Sequence, residues 1–432
     1  MNTLLVYARH AAPAAKRAQS AFLLLPQRHT PILAAALANK RSFSSTVCTQ
    51  RPLNVLFFGT DLFGRRVLKH IIEAKQDHEP AVASVDLVCP ATIMKRRGLR
   101  DRVFWQAETD KLARKEHVHV IDSGGEFPDR WNVPRRSGKE GDGPPYDIGI
   151  VASFGKFIPA SIINQFPLGM INVHPSLLPK YRGPSPIQTA ILNGDYNTGV
   201  TIQELHPKVM DGGKILAQVP YSINNETTRL DGMLQLGNVG GELLVRVLKN
   251  LDGLRKVAVE QNAAEVTSTR LTVKNDAQIQ WDTMTADHIM RMFRAYYGSE
   301  PVFSFLRIKN KLKHVQITEL DPVDPKIPPI NKEYLDYPPG SMFFARKIPY
   351  VEIVCIDGNR LHGKRFVVSG KASTDYNQFM AGYLRGKKLT KFPRFLTCCP
   401  DLKRPTPPYV FPPDYKRPEL PVFDERIKIV KG

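Results

Sequence analysis

Val55-Leu56-Phe57-Phe58 is an unbroken apolar run that stops at Gly59-Thr60-Asp61 and gives way to Phe63, Val67, Leu68, Ile71 and Ile72 at helical spacing. A strand apolar at every position must be covered on both faces, and a helix with one apolar stripe directly after it supplies one of the covers. This pattern is the first unit of a parallel α/β sheet. The alternation recurs. Strands are predicted at Val85–Cys89, Val118–Ile121 and Ile148–Ala152, and helices at Phe104–Lys115 and Ala160–Phe166. Residues 122–145, rich in Gly, Pro and charge, read as a loop insertion. Gly59-Thr60 is not followed by G-x-G-x-x-G, so a nicotinamide dinucleotide is not supported.

Further on, Met170-Ile171-Asn172-Val173-His174 is strand-like, closed by Pro175, which has no N–H to give to a ladder. Ser185 and Pro186 open a helix that Gly194 stops. Gly199–Leu205 and Lys214–Val219 are strands around a loop holding Asp211-Gly212-Gly213, and Leu230–Leu251 reads as one long helix. The pattern lapses over residues 252–279, a linker. Thr285–Tyr296 is again helical. Short β-like pieces follow at Val302–Ile308, Lys313–Ile317, Ser341–Phe344, Val351–Ile356 and Arg365–Ser369, between Pro-Pro-Gly and Asp-Gly turns. They predict a small β-barrel over residues 280–399, with a Pro-rich tail over 400–432.

The charge balance is lopsided: 61 Lys+Arg against 41 Asp+Glu, a net +20. Before Asp61 there is no acidic residue, while Arg9, Lys16, Arg17, Arg28, Lys40 and Arg41 are spread among Ala, Leu, Ser and Thr. That is the composition of an organellar transit peptide, not of a secretory signal with one charged end and one apolar core. Arg41-Ser42-Phe43-Ser44 is similar to the R-x-F-S pattern at which mitochondrial presequences are cut, so residues 1–43 are expected to be a transit peptide for the mitochondrial matrix. Those six charges are under a third of the excess, so the rest of the chain also suits a polyanion partner. Five cysteines without a C-x-x-C exclude a disulfide scaffold and argue against a zinc site. No run of 18 apolar residues exists, so no membrane insertion is expected.

Residues i and i+2 of a strand face the same way, so Asn172 and His174 project together at the carboxyl end of a predicted parallel strand, where open α/β sheets bind ligands. Two polar groups in an apolar strand are costly unless satisfied or used. Spacing alone allows two readings: a hydrogen-bonded pair that locks a turn, or a pair that works on a ligand.

Asn172-Val173-His174-Pro175-Ser176-Leu177-Leu178-Pro179-Lys180-Tyr181-Arg182-Gly183, then Pro186-Ile187-Gln188, Thr198-Gly199-Val200-Thr201-Ile202 and Met210-Asp211-Gly212-Gly213, resembles the folate-dependent formyltransferases. The resemblance runs from about Asn54 to about Leu251, with Gly59-Thr60 and Phe63 matching the family's opening turn, and continues more weakly beyond. It implies a Rossmann-like, mostly parallel α/β catalytic domain over 52–251, followed by an OB-like barrel that binds tRNA. It implies Asn172, His174 and Asp211 as the catalytic trio and 10-formyltetrahydrofolate as co-substrate, with no metal. Ser176, Leu177, Leu178 and Pro179 would be the segment touching the folate. Ser153-Phe154-Gly155 and Val209-Met210 would form other walls. Two positions depart from the family pattern: Pro175 stands where Gly is frequent and Asp61 where Pro is usual. Both affect local backbone geometry and remove no reactive group.

Among family members the resemblance is strongest to those that act on tRNA, which implies methionyl initiator tRNA as acceptor and a monomer. Lys95-Arg96-Arg97-Gly98-Leu99-Arg100-Asp101-Arg102 lies where those members carry a longer loop that meets the acceptor stem, so Lys95, Arg96, Arg97, Arg100 and Arg102 are the expected tRNA contacts; a solvated basic loop is the plainer reading. In the C-terminal half Arg307, Lys309, Lys311, Lys313, Arg346, Lys347, Arg360, Lys364 and Arg365, followed by Arg385-Gly386-Lys387-Lys388, Lys391 and Arg394, interleave with Phe303, Phe305, Phe343 and Phe344, a pattern suited to RNA. Two other functions are weighed against this one. A small-amine formyltransferase, acting on glycinamide ribonucleotide or an amino-sugar nucleotide, has no evident need for a basic C-terminal unit. A non-catalytic RNA-binding relative would be expected to have lost one of Asn172, His174 and Asp211.

Overall fold

The computed structural model describes residues 51–97, 100–123, 131–134, 146–308, 311–345, 348–384 and 393–396. The expected transit peptide, most of the 122–145 insertion and the 400–432 tail lie outside the described residues. The chain divides into two compact units at 271/272, inside the stretch read as linker.

In the first unit β1 (Leu53–Gly59), β2 (Val82–Cys89), β5 (Val120–Asp122), β6 (Ile148–Ala152), β7 (Met170–His174), β8 (Asn197–Glu204) and β9 (Ile215–Ser222) form one sheet in the order β5-β2-β1-β6-β7-β8-β9. The first five in that order run parallel, and β8 is antiparallel to both β7 and β9. Val55, Leu56, Phe57 and Phe58 have no solvent exposure, as the unbroken apolar run requires. Burying each contributes about 1.5–3 kcal/mol. The sheet reverses its winding at β1 and β6, so the crevice of this fold opens at the carboxyl ends of β1, β6 and β7.

Helix Leu62–Glu73 follows β1 and buries Phe63, Val67, Leu68, Ile71 and Ile72. Asp61 caps it by accepting the Gly64 N–H at 3.0 Å. Burial pushes the Asp61 carboxyl above its ordinary range, against that hydrogen bond and the charge of Arg229. The long helix predicted at Leu230–Leu251 spans Arg229–Lys249, capped reciprocally by Thr228 and Asp231, and Asn250 separates it from a short helix at Leu251–Lys256. It packs closely on Leu62–Glu73 because it presents glycine: a Cβ on Gly241 would stand 2.4 Å from the His70 ring, and one on Gly237 2.7 Å from Arg66 Cβ.

Residues 93–97 and 100–105, expected as a loop running into a helix, form instead a separate antiparallel pair of strands, β3 (Ile93–Arg97) and β4 (Arg100–Trp105), and the helix begins only at Glu108.

The second unit is antiparallel. Strands β10 (Phe303–Ile308), β11 (Lys311–Pro322), β12 (Met342–Phe343), β13 (Val351–Val354), β14 (Arg360–Val368) and β16 (Phe395–Leu396) run in the order β12-β13-β14-β11-β10-β16, with β15 (Ser373–Asp375) on β14. The two ends of that order meet: the Phe395 N–H donates to Gly340 O at 2.9 Å and the Met342 N–H to Pro393 O at 3.0 Å, which nearly closes a barrel. Trp281 is fully buried, donates from its indole to Ser304 Oγ at 2.9 Å and stacks on Phe395. Of the rings expected to interleave with cations on an RNA surface, Phe344 is partly buried and the other three lie inside. Phe303, Phe305 and Phe343 are buried, and Arg360, 4% exposed, pairs with the fully buried Glu352 at 2.7 Å.

Candidate active site

Strand β7 puts Asn172 and His174 on one face, and the antiparallel register of β8 sets Gln203 opposite Asn172 and Thr201 opposite His174. The turn between β8 and β9 then carries Asp211 back over that face. Its shape has local causes. His206 Nδ1 accepts the N–H groups of Lys208 and Val209 at 3.1 and 2.9 Å. Asp211 sits at φ 52°, a left-handed conformation that Asp tolerates better than most residues. Gly213 runs so close to β8 that a Cβ there would lie 1.8 Å from Glu204 O.

The turn delivers a carboxylate satisfied on both oxygens. Asp211 Oδ1 accepts from Asn172 Nδ2 and from Gln203 Nε2, each at 3.0 Å, and Oδ2 accepts the Gly183 N–H at 2.8 Å. His174 Nδ1 stands 3.6 Å from Oδ1. The structure thus brings together Asn172, His174 and Asp211, which are as much as 39 positions apart in the chain. The imidazole is nearly buried, with 5% of its side chain exposed. Its Nε2 lies 2.9 Å from the carbonyl of Tyr181. A carbonyl only accepts, so Nε2 carries hydrogen and Nδ1 is the nitrogen turned to Asp211. Tyr181, at φ 65°, is itself pinned: its N–H donates to Thr267 Oγ1 at 2.8 Å and its hydroxyl to Asp195 Oδ2 at 2.6 Å. Burial and that carboxylate push the phenol well above its ordinary range, so it stays a donor.

Asn172, Gln203 and Asp211 form the polar part of a small open cleft whose apolar walls are Val151, Phe157, Ile158, Leu205, Val209 and Met210, with Lys156, Glu204 and His206 also lining it. Phe157, Val209 and Met210 are about half exposed. The expected folate segment does not line this cleft. Ser176 Oγ donates to Lys180 O at 2.6 Å, the Leu178 N–H to Thr201 Oγ1 at 3.1 Å, and Leu178 O accepts from Gln218 Nε2 at 2.8 Å. With Leu177 packed against Gly199 and Pro179 O accepting the Thr267 N–H, the segment Ser176–Pro179 is tied to the surrounding scaffold. Of the other expected walls, Val209 and Met210 are in the cleft, whereas Phe154 is buried against the Phe58 ring.

Gln203 and the Lys156–Ile158 stretch carry no motif in the sequence, and Thr201 enters there only within the Thr198–Ile202 run that carries the resemblance. Thr201 and Gln203 do repeat the i, i+2 spacing of Asn172 and His174, but their partnership rests on a strand register that no spacing reveals. Lys95, Arg96 and Arg97 lie on β3 and Arg100 and Arg102 on β4, where the register pairs Lys95 with Arg102 and Arg97 with Arg100. They belong to two paired strands, not a loop. Among the described residues no group of three His, Cys, Asp or Glu side chains could hold a metal ion.

A family model described as formyl transferase matches residues 54–248. The mitochondrial methionyl-tRNA formyltransferase of Rattus norvegicus is 30% identical over 353 residues, 81% of this chain and 83% of the relative. On those findings the chain belongs to the formyl transferase family. Relatives within that family include methionyl-tRNA formyltransferases, among them the mitochondrial protein of Homo sapiens, 30% identical over 340 residues, 79% of this chain and 80% of the relative. Among solved structures, the N-formyltransferase of Helicobacter canadensis, in complex with folinic acid and dTDP-3-aminofucose, matches 72% of this chain and 98% of its own at 19% identity and a TM-score of 0.45.

Proposed function

We propose that the protein transfers the formyl group of 10-formyltetrahydrofolate to the α-amino group of methionyl initiator tRNA, supporting translation initiation in mitochondria. The observation that carries the reading is the convergence of the Asn172 amide and the buried His174 imidazole on the Asp211 carboxylate, with Asn172 and Asp211 lining the cleft. The similarity to methionyl-tRNA formyltransferases over four-fifths of the chain supports the acceptor. The relatives named as mitochondrial support a mitochondrial location, and residues 1–43 would be the matrix-targeting presequence, cut after Phe43.

The co-substrate would supply a formyl carbon activated by its bond to N10. The cleft fits a flat heterocycle: apolar walls for its faces and three hydrogen-bonding side chains for its edge. The walls at Phe157, Ile158, Leu205, Val209 and Met210 would hold the ring, and Ser176, Leu177, Leu178 and Pro179 would touch the co-substrate outside this cleft.

In the reaction the amine nitrogen bonds to the formyl carbon, the carbon–N10 bond breaks, the amine loses a proton and N10 gains one. Negative charge develops on the formyl oxygen. Asn172 Nδ2 spends one hydrogen on Asp211 and keeps a second for that oxygen, a contribution of about 10²–10³ in rate. His174 would exchange the proton at Nδ1, since Nε2 is committed to Tyr181, for roughly 10²–10⁴. Asp211 would stabilise the imidazolium and link it to the cleft.

The basic strand pair β3–β4 is proposed to meet the phosphates of the acceptor stem. Reversing the charges of Lys95, Arg96 and Arg97 should raise KM for charged tRNA and leave KM for folate unchanged; an unmoved tRNA KM would make the pair a solvated face. The function is tested by transfer of labelled formyl to methionyl initiator tRNA, with glycinamide ribonucleotide as competing acceptor. Label on the ribonucleotide and none on the tRNA would overturn it.

A further inference from the structure

The segment after the helix Leu251–Lys256 carries no motif, yet it reaches the floor of the cleft. Val259 exchanges both backbone hydrogen bonds with Ile215, at 2.8 and 3.0 Å, which lays the chain beside β9 just after the Asp211 turn. Two residues on, Gln261 Nε2 donates to the carbonyls of Asp211 and Gly213, each at 2.8 Å, and lies 3.1 Å from Gln203 Oε1. Its Oε1 accepts from both Nε and Nη2 of Arg182, at 2.9 and 2.8 Å. The same segment then holds the neighbouring turn: the Arg182 N–H donates to Thr267 O at 2.8 Å, and the Thr269 N–H to Arg182 O at 2.6 Å.

One side chain therefore joins two turns. On one side is the backbone of Asp211, whose carboxylate faces His174 Nδ1. On the other is Arg182, next to Tyr181, whose carbonyl holds His174 Nε2. Both turns contain a non-glycine residue at positive φ, Asp211 at 52° and Tyr181 at 65°. Such conformations persist only where the surroundings over-determine them. An amide suits the junction as no other side chain does: the –NH₂ meets carbonyls and the oxygen meets a guanidinium. Glutamate would turn an oxygen toward two carbonyls, and leucine would leave those carbonyls and the guanidinium unpartnered.

From this we infer that Gln261 is a positioning residue for formyl transfer, setting the spacing between Asp211 and His174 without touching either substrate. The inference rests on the function proposed above, so its test contains a control for that function. Full-length wild type, Gln261→Glu, Gln261→Leu and Arg182→Lys are assayed for transfer from 10-formyltetrahydrofolate to methionyl-tRNA, with rates divided by the concentration of folded enzyme. A displacement near 1 Å can cost about 100-fold, so the Gln261 variants should lose about 10–100-fold in kcat, with both KM values within about threefold. Introduced into an Asp211→Asn background, Gln261→Leu should cost almost nothing more, because the group it positions is already gone.

A residue that only stabilises the fold would lower the melting temperature and the yield of folded enzyme, leave kcat per folded enzyme intact, and multiply with Asp211→Asn. Either the intact kcat or the multiplication overturns the inference. Should the Gln261 variants not fold, Arg182→Lys, which keeps the charge and loses the paired donation, decides it by the same kcat criterion. Absence of transfer by wild type would instead refute the function, a separate outcome.

Discussion

Replacing Asp211 by Asn changes no volume and removes one charge, which makes the consequence calculable. The carboxylate takes two donors on Oδ1 and one on Oδ2. An amide has one oxygen, so it can satisfy the Asn172 and Gln203 pair or the Gly183 N–H, and must turn an N–H against the other. Leaving such a donor unmet costs about 1–3 kcal/mol, paid in ground state and transition state alike, and so appears in stability more than in rate. The charge behaves differently. At 3.6 Å the carboxylate attracts an imidazolium with about 4–5 kcal/mol at an effective dielectric near 20, and the imidazolium exists only once His174 has taken its proton. That attraction therefore falls on the barrier. Its full loss would be about 10³-fold; with water entering in part, we expect kcat to fall by about 10²–10³ while both KM values stay within about threefold. Single-turnover transfer of labelled formyl to pre-charged methionyl-tRNA reads the chemical step directly. A loss smaller than about fivefold in folded Asp211→Asn enzyme would refute the charge pairing on which the mechanism depends.

Gly213→Ala places a Cβ where Glu204 O stands, 1.8 Å away, so the turn must move and Asp211 with it; activity should drop by about 100-fold, and near wild-type kcat would mean the turn is not held by β8. In the barrel, Glu352→Leu strands the buried Arg360 charge and should lower stability by about 3–5 kcal/mol, read as denaturant unfolding through Trp281 fluorescence; a change below about 1 kcal/mol would contradict the pairing. Adding Arg360→Met should restore most of that loss, because no buried charge is then left alone. Burial, and then the nearby Asp110, push the Cys89 thiol up to about 12, so its thiolate becomes abundant only as pH approaches that value. Native protein at pH 8 should resist alkylation at Cys89 and unfolded protein should not; rapid native labelling would overturn this.

The C-terminal barrel was legible as short strands between turn residues, but its surface chemistry was not. Strand alternation says that Phe303 and Phe305 share a face with Arg307; it does not say that the face is covered. Nor does sequence spacing distinguish Arg360, paired inside with Glu352, from a cation offered to RNA. Around the strand pair β3–β4, six strongly charged residues in eight masked the β period that Ile93, Val103 and Trp105 carry only faintly.

Local physics determined the rest. A run apolar on both faces had to be an inner strand, a glycine turn followed by a helical stripe had to cover it, and two polar residues at i and i+2 had to share a face. Each of those statements involves neighbours within a few residues, where geometry is nearly rigid. The partners of that face came only with the tertiary structure. Asp211 arrives by the β8–β9 turn, Gln203 by an antiparallel register, and Gln261 from an unpatterned stretch beside β9. Those distances depend on chain reversals whose closure is fixed by packing of the whole unit, and packing leaves no periodic trace in a single sequence.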